Sequence, residues 1–260
     1  MKQKEPIRVL VFGETGTGKT SLCNALSGEK KPVSSQAVGV TFQSQNYLPF
    51  IYHDESYIIT DTVGLNESDK GTVKATEAFK NLWELIKKSK NGFNLIVHVA
   101  RGRITKSFND NYKFFVEIVM QEKVPVILVQ TGCENTEPMS LWVEENKLFY
   151  ESHGFKYKSI IASCFAETQI PDFKPRYDRL RNESKESVLF NIEKYALERP
   201  FILYKDSNGL IRVIKRLWNG LCAFFDVPEW KVKINKNLYE LLRRMGFSKD
   251  EAEEITNQNG

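Results

Sequence analysis

No stretch of this sequence approaches the roughly 18 consecutive apolar residues that a membrane-spanning helix needs. Any membrane attachment would have to come from a surface helix, a lipid or a partner. Cysteine is sparse: Cys23, Cys133, Cys164 and Cys222 are scattered and form no C-x-x-C pair, and His53, His98 and His153 lie far apart. That spacing argues against a metal centre built from Cys and His. No secretory pattern opens the chain, so the thiols are expected to be reduced and the protein cytoplasmic. Charge of one sign is lacking too. Lys and Arg number 37 and Asp and Glu 33, a net +4, too little to argue for nucleic acid as a partner. Internal repeats and low-complexity tracts are absent. What remains is 260 residues, 41% hydrophobic and 27% charged, a composition and length suited to one medium soluble domain plus an extension.

Apolar runs set the organisation. Ile7 to Phe12 (IRVLVF) predicts a buried strand, interrupted by Gly13 to Lys19. A helix follows from about Lys19 to Ser27, stopping at Gly28. Glu29 to Val40 lacks periodicity and reads as a loop. Phe42 to Tyr52 and Ser56 to Thr60 read as two strands joined by a tight turn at His53-Asp54-Glu55. Downstream, helices are expected near Val73–Lys88, Ser107–Gln121, Pro138–Ser152 and Ser184–Ala196. Strands are expected at Phe93–Val99, Val124–Gln130 and Tyr157–Ala162. Strands alternating with helices imply an α/β, doubly wound, three-layer domain with a mostly parallel sheet, its hairpin adding an antiparallel edge. Ligands in such folds sit beyond the carboxyl ends of the strands. From Phe201 the pattern changes to a turn at Asp206-Ser207-Asn208-Gly209 and helices near Leu210–Phe225 and Leu238–Thr256. The division expected is therefore 5–200 for the nucleotide-type domain and 201–260 for a small helical C-terminal extension.

The run Gly13-Glu14-Thr15-Gly16-Thr17-Gly18-Lys19-Thr20, with Ser21 behind it, matches G-x-x-x-x-G-K-S/T. Its glycines let successive backbone N–H groups converge on phosphates, and the helix that follows adds its N-terminal dipole. In this pattern Lys19 reaches the β- and γ-phosphates and the Thr20 hydroxyl binds Mg²⁺. Asp61-Thr62-Val63-Gly64 closes a later strand. There the acid holds magnesium through water and the Gly64 N–H meets the γ-phosphate. Thr41, in Val38-Gly39-Val40-Thr41, either binds Mg²⁺ only when a γ-phosphate is present, making its loop a switch, or merely starts a strand. The metal set is then Thr20, Thr41 and Asp61. The carboxylates Glu14, Glu67 and Asp69 read as solvated rather than catalytic.

GETGTGKTSLCNALSG, VGVT, IITDTVGLNES and the box Ala100-Arg101-Gly102-Arg103-Ile104-Thr105 together resemble P-loop GTPases of the translation-factor-related (TRAFAC) class. The likeness is strongest to the septin-like, avirulence-induced and immunity-associated group, and it covers about residues 5 to 197. The resemblance implies GTP/GDP and Mg²⁺ as ligands, a guanine-nucleotide switch, and a homodimer across the nucleotide face. It also implies base reading by a motif N/T-K-x-D, whose place holds Thr131-Gly132-Cys133-Glu134. Gly132 cannot supply the usual lysine stem that stacks on the base. Glu134 either accepts guanine N–H groups or is an ordinary loop acid. Ala162-Ser163-Cys164, where the fifth motif would lie, either matches it weakly or is an ordinary strand end. Leu65 replaces the glutamine that orients water in Ras-like enzymes. Arg103 of the G-R-x-T box is the candidate to supply the missing catalysis, with Lys19, Thr41 and Gly64; the alternative is that it pairs with an acid or caps the next helix.

Two functions stay open at this level: a GTP switch that hydrolyses slowly, and a module that holds nucleotide without useful turnover. An ATP-using kinase is disfavoured, since no arginine-rich lid segment is present. The apolar stripe Leu210, Val213, Ile214, Leu217, Trp218, Leu221, Phe224 and Phe225, flanked by Arg212, Lys215 and Arg216, either lies on a membrane or partner or packs on its own domain.

Overall fold

The computed structural model describes residues 5–32, 44–62, 72–88, 90–204 and 207–224, together with 239, 242, 243, 248–250, 252 and 253. Among the described residues, seven strands form one sheet: β1 (Ile7–Phe12), β2 (Ser44–Asn46), β3 (Phe50–Tyr52), β4 (Glu55–Thr62), β5 (Leu95–Arg101), β6 (Val126–Thr131) and β7 (Ile160–Ala162). The order is β2-β4-β1-β5-β6-β7, with β3 also paired to β4. Strands β4, β1, β5, β6 and β7 run parallel, while β2 and β3 are antiparallel to β4. This is the doubly wound sheet with an antiparallel edge that the apolar runs predict.

Alternation along each strand divides the core between two faces. Leu10, Phe12 and Ile96 point to one side. There they meet α2 (Thr72–Lys88) through Phe79, Leu82 and Trp83. Val9, Val11, Leu95, Val97 and Val99 point to the other side. That face is covered by α1 (Lys19–Ser27) through Leu22 and Leu26, and by α5 (Lys174–Tyr195) through Val188, Leu189 and Ile192. Helix α4 (Ser140–Ser152) lies beside β7.

Several boundaries differ from the sequence expectation, each for a local reason. The strand expected over Phe42 to Tyr52 is, among the described residues, two short strands with Leu48-Pro49 between them. Proline offers no N–H to the ladder, so pairing with β4 breaks there. The turn before β4 is as expected, with His53 and Asp54 both at positive φ. The helix expected to start at Ser184 starts ten residues earlier. Its first half (KPRYDRLRNE) carries almost no apolar periodicity; Pro175 opens it, and the i,i+4 pairs Lys174–Asp178 (2.8 Å) and Arg179–Glu183 (3.2 Å) run along it. The helix expected at Ser107 is α3 (Lys106–Tyr112), which passes into a π-helical stretch, Lys113–Val119. The Met120 N–H there reaches the Phe115 carbonyl, five residues back.

Beyond residue 200 the chain stays tied to the sheet, because Phe93 and Phe201 exchange backbone hydrogen bonds at 3.2 and 2.8 Å. The expected turn at Ser207-Asn208-Gly209 is instead the first turn of α6 (Ser207–Phe224). The stripe of α6 packs inward. Val213, Ile214, Leu217, Trp218 and Leu221 are buried against α2 and the π-helical stretch, and Arg216 Nε donates to the Ile118 carbonyl at 2.7 Å. These side chains are therefore not available to a membrane or a partner. The second expected stretch, Leu238–Thr256, lies mostly outside the described residues.

One buried group couples the fold to pH. His98 of β5 is fully buried, stacked between Phe12 (4.5 Å) and Phe108 (4.3 Å), and its Nδ1 shares a hydrogen bond of 2.7 Å with the Tyr157 hydroxyl. Burial holds its pKa down at about 3, against about 6.5 in an unfolded chain. The neutral ring thus contributes stability in full above pH 6.5, and that stability is lost as pH falls from 6.5 toward 3. Denaturant unfolding between pH 7 and 5 should show a loss approaching about 1.4 kcal/mol per pH unit from this residue. His98→Phe should flatten that slope, and equal slopes in the two proteins would refute the assignment.

Candidate functional site

Strand β1 delivers the chain to the carboxyl edge of the sheet, and the loop 13–18 turns it into α1. The turn needs glycine at its first position. Gly13 has φ +146°, and a Cβ there would lie 2.1 Å from the Val99 carbonyl oxygen of β5. Gly18, with φ 92°, stands at the N-cap with no side-chain cap on α1. The first-turn N–H groups are thus left for an incoming acceptor. Inside the loop, Thr17 Oγ1 and Lys19 Nζ both donate to the Glu14 carbonyl, at 2.8 and 2.7 Å. From β6, the Thr131 hydroxyl lies 2.6 Å from the Thr17 carbonyl and 3.1 Å from that of Ala100. It thereby ties the phosphate-type loop to two strand ends.

Lys19 is only 7% exposed, and burial lowers its ammonium pKa to about 8 against the opposing pull of Asp61. Asp61, in register with Val11 on β1, is equally buried, and burial raises its carboxyl pKa against the pull of Lys19 and the Thr20 hydrogen bond. Its Oδ2 accepts from the Thr20 hydroxyl at 2.9 Å, whereas its Oδ1 is buried without a partner. A carboxylate oxygen orphaned beside a hydroxyl and an ammonium is an unfinished site. The hard oxygen donors of Thr20 and Asp61 fit Mg²⁺, which takes one or two protein oxygens alongside substrate phosphates.

Of the remaining sequence candidates, Thr15 and Gly16 are exposed on the loop, and Ser21 is half-buried on α1. Thr41, Gly64 and Leu65 lie outside the described residues. Glu14 is not simply solvated: its Oε1 accepts from Thr105 Oγ1 at 2.6 Å, and the same Thr105 hydroxyl accepts from the Phe108 N–H as the cap of α3. The G-R-x-T box is thus seated against the loop. The cap is Thr105, not Arg103, whose side chain is exposed at this edge.

The second cluster lies at the ends of β6 and β7. Glu134 is half-buried, with Oε2 buried and unpartnered. The Cys133 N–H donates to the Ser163 carbonyl at 3.1 Å, and Ser163 Oγ donates to the Gln130 carbonyl at 2.9 Å. The segments 131–134 and 162–164 are therefore stitched together. The thiol of Cys164 is pushed up mainly by burial, with the nearby Glu134 carboxylate adding to the rise. Sequence reasoning missed Arg176, whose Nη2 donates to the Glu134 carbonyl at 2.7 Å and lies 3.3 Å from Glu137. It sits in the half of α5 that the apolar pattern did not reveal; Pro175, a first-turn signal, was the available clue.

Residues 8–131 match the model of the family described as 50S ribosome-binding GTPase. Among curated proteins, the chain is 25% identical over 193 residues to the GTPase Der of Mycoplasma capricolum, covering 73% of this chain and 42% of that one. It is 27% identical over 218 residues to Der of Fusobacterium nucleatum, covering 82% and 48%. The chain thus spans less than half the length of these relatives. Among solved structures it shares the fold of Era from Aquifex aeolicus bound to GDP·AlF4⁻, with TM-score 0.52, 17% identity and coverage of 73% and 56%. It likewise shares the fold of Era bound to MgGDPNP and a 16S ribosomal RNA segment, with TM-score 0.53, 14% identity and coverage of 77% and 60%. Sheet order, phosphate-type loop and matched segment agree on an α/β domain with the P-loop GTPase fold.

Proposed function

We propose that this protein binds GTP and GDP with Mg²⁺ and hydrolyses GTP slowly, as a switch. The observation that carries the reading is the Lys19–Thr20–Asp61 cluster at the mouth of the glycine loop, with one carboxylate oxygen left unpartnered. On this reading the N–H groups of residues 13–18 and the start of α1, with Ser21 alongside, cradle the phosphates. Lys19 leaves the Glu14 carbonyl for the β/γ oxygens. Thr20 and Asp61 hold the magnesium, joined by Thr41 when a γ-phosphate is present, and the Gly64 N–H meets that phosphate. Magnesium, when bound, neutralises charge on the phosphate oxygens. Titrating the protein with labelled GTP, GDP and ATP, with and without Mg²⁺, tests the reading; phosphate binding that ignores the metal would overturn it.

Glu134 is the proposed guanine reader, and a buried, unpartnered Oε2 supports the reading because it is an acceptor left free for base N–H groups. GTP should bind better than ATP, and Glu134→Ala should narrow the difference by about 1–3 kcal/mol. Equal affinity for the two nucleotides before any mutation would remove this role.

The finer placement in the septin-like, immunity-associated group rests on the residue 100–105 box, and with it comes the proposal of a homodimer across the nucleotide face. The division at residue 200 and a cytoplasmic location belong to the same reading; among the described residues no helix is long and apolar enough to cross a membrane. A second reading, nucleotide holding without useful turnover, is favoured by Leu65 in the glutamine position. Single-turnover hydrolysis measured beside nucleotide titration separates the two.

A further inference from the structure

Gly132 leaves open the place from which a lysine stem would cover the base. The structure fills that direction from another strand. A Cβ built on Gly132 would lie 3.1 Å from Nε, 3.5 Å from Cγ and 3.8 Å from Cδ of Arg101, so its three nearest neighbours are all one side chain. Arg101 is the last residue of β5 and pairs in register with Thr131, the residue before Gly132. It reaches across the strand end at the edge where the glycine loop and Glu134 also lie. Arg101 is exposed, and among the described residues no hydrogen bond or ion pair holds its guanidinium. Gly132 itself has φ 81°, where any side chain would be strained.

We propose that Arg101 is the stacking platform for the purine base, replacing in space the lysine that the sequence lacks at position 132. This rests on the guanine-nucleotide reading above. The guanidinium is flat, weakly hydrated and cationic, and it lies well against an aromatic face. Such a platform reads the face of the base and not its edge, so it tolerates any purine. It therefore divides the work with Glu134: Arg101 contributes affinity without discrimination, and Glu134 contributes discrimination at the edge. The Gly132 hydrogen leaves room for the arginine stem that a β-carbon would displace.

The experiment compares Mg²⁺-dependent binding of GDP, ADP and the base-free probe tripolyphosphate to wild type, Arg101→Ala and Arg101→Lys. Arg101→Ala should weaken GDP by about tenfold or more, leave the ratio of GDP to ADP affinity unchanged, and leave tripolyphosphate binding unchanged. Retained tripolyphosphate binding also shows that the variant is folded. Arg101→Lys, which keeps an aliphatic stem, should recover part of the loss. The proposal is overturned if Arg101→Ala binds GDP like wild type, or if it loses GDP and tripolyphosphate equally, which would put the arginine on the phosphates. Wild-type protein that binds GDP no more tightly than tripolyphosphate is a different failure. It would sink the guanine-nucleotide reading itself and leave no base for Arg101 to cover.

Discussion

Lys19→Ala should abolish detectable binding of GTP and GDP, raising Kd by about a hundredfold or more. The ammonium is 7% exposed and already desolvated, so its attraction for a triphosphate is little screened by water. Its hydrogen bond to the Glu14 carbonyl spans 2.7 Å inside the loop, so it needs only to swing from one oxygen to another when phosphate arrives. Removing it also takes from the buried Asp61 carboxylate the stronger of the two lysines that oppose its burial, leaving Lys31, and more of that negative charge then faces an anionic ligand. A truncated charge partner at a buried site costs about 2–5 kcal/mol, and both effects act in one direction. Isothermal titration with GDP and Mg²⁺ checks the expectation, with the melting temperature of the ligand-free variant reporting that the fold survives. Wild-type-like affinity in a folded Lys19→Ala protein would remove the phosphate assignment for the whole loop.

Arg103→Ala should lower GTP turnover steeply while leaving nucleotide affinity intact. Leu65 stands where a glutamine would orient water, so stabilisation of the transition state has to come from elsewhere. Charge grows on the γ-phosphoryl oxygens during transfer, and an inserted arginine is worth a factor of about 10³–10⁵. Thr105 anchors the box to Glu14 at 2.6 Å, which puts the exposed Arg103 beside the glycine loop rather than on a distant loop. On the proposed dimer across the nucleotide face, this exposed arginine would serve a second copy of the chain. Turnover per chain should then rise with protein concentration in the wild type and stay flat in Arg103→Ala. A rate independent of concentration and unaffected by the substitution would eliminate a trans-acting arginine here.

The two substitutions separate the site's tasks. Lys19→Ala acts on binding, and turnover falls only because nothing is bound. Arg103→Ala acts on turnover at full occupancy. A result in which both variants lose affinity would mean that Arg103 contacts the ground-state nucleotide instead of the charge that develops during transfer.

What the sequence determined by itself is what local spacing encodes. The glycine loop was legible because backbone curvature requires glycines at fixed intervals, and a strand before it and a helix after it follow from short-range periodicity. Asp61 was legible as the polar end of an apolar strand, and the alternation of strands and helices gave the doubly wound sheet. The weak points were also local. The polar first half of α5 carried no periodic signal because its support is i,i+4 charge pairing and contacts made across the fold. The stripe of α6 was visible, but its partner was not, since a helix pattern does not name the surface it covers. Tertiary structure alone decided the contacts between residues far apart in sequence. These are the Thr20–Asp61 pair, Thr131 holding the Thr17 carbonyl, Thr105 on Glu14, Arg176 on the Glu134 carbonyl and Arg101 laid over Gly132. Each joins residues separated by at least 31 positions, as Arg101 and Gly132 are. The sheet order makes them neighbours: β4, β1, β5 and β6 lie side by side and all end at one edge.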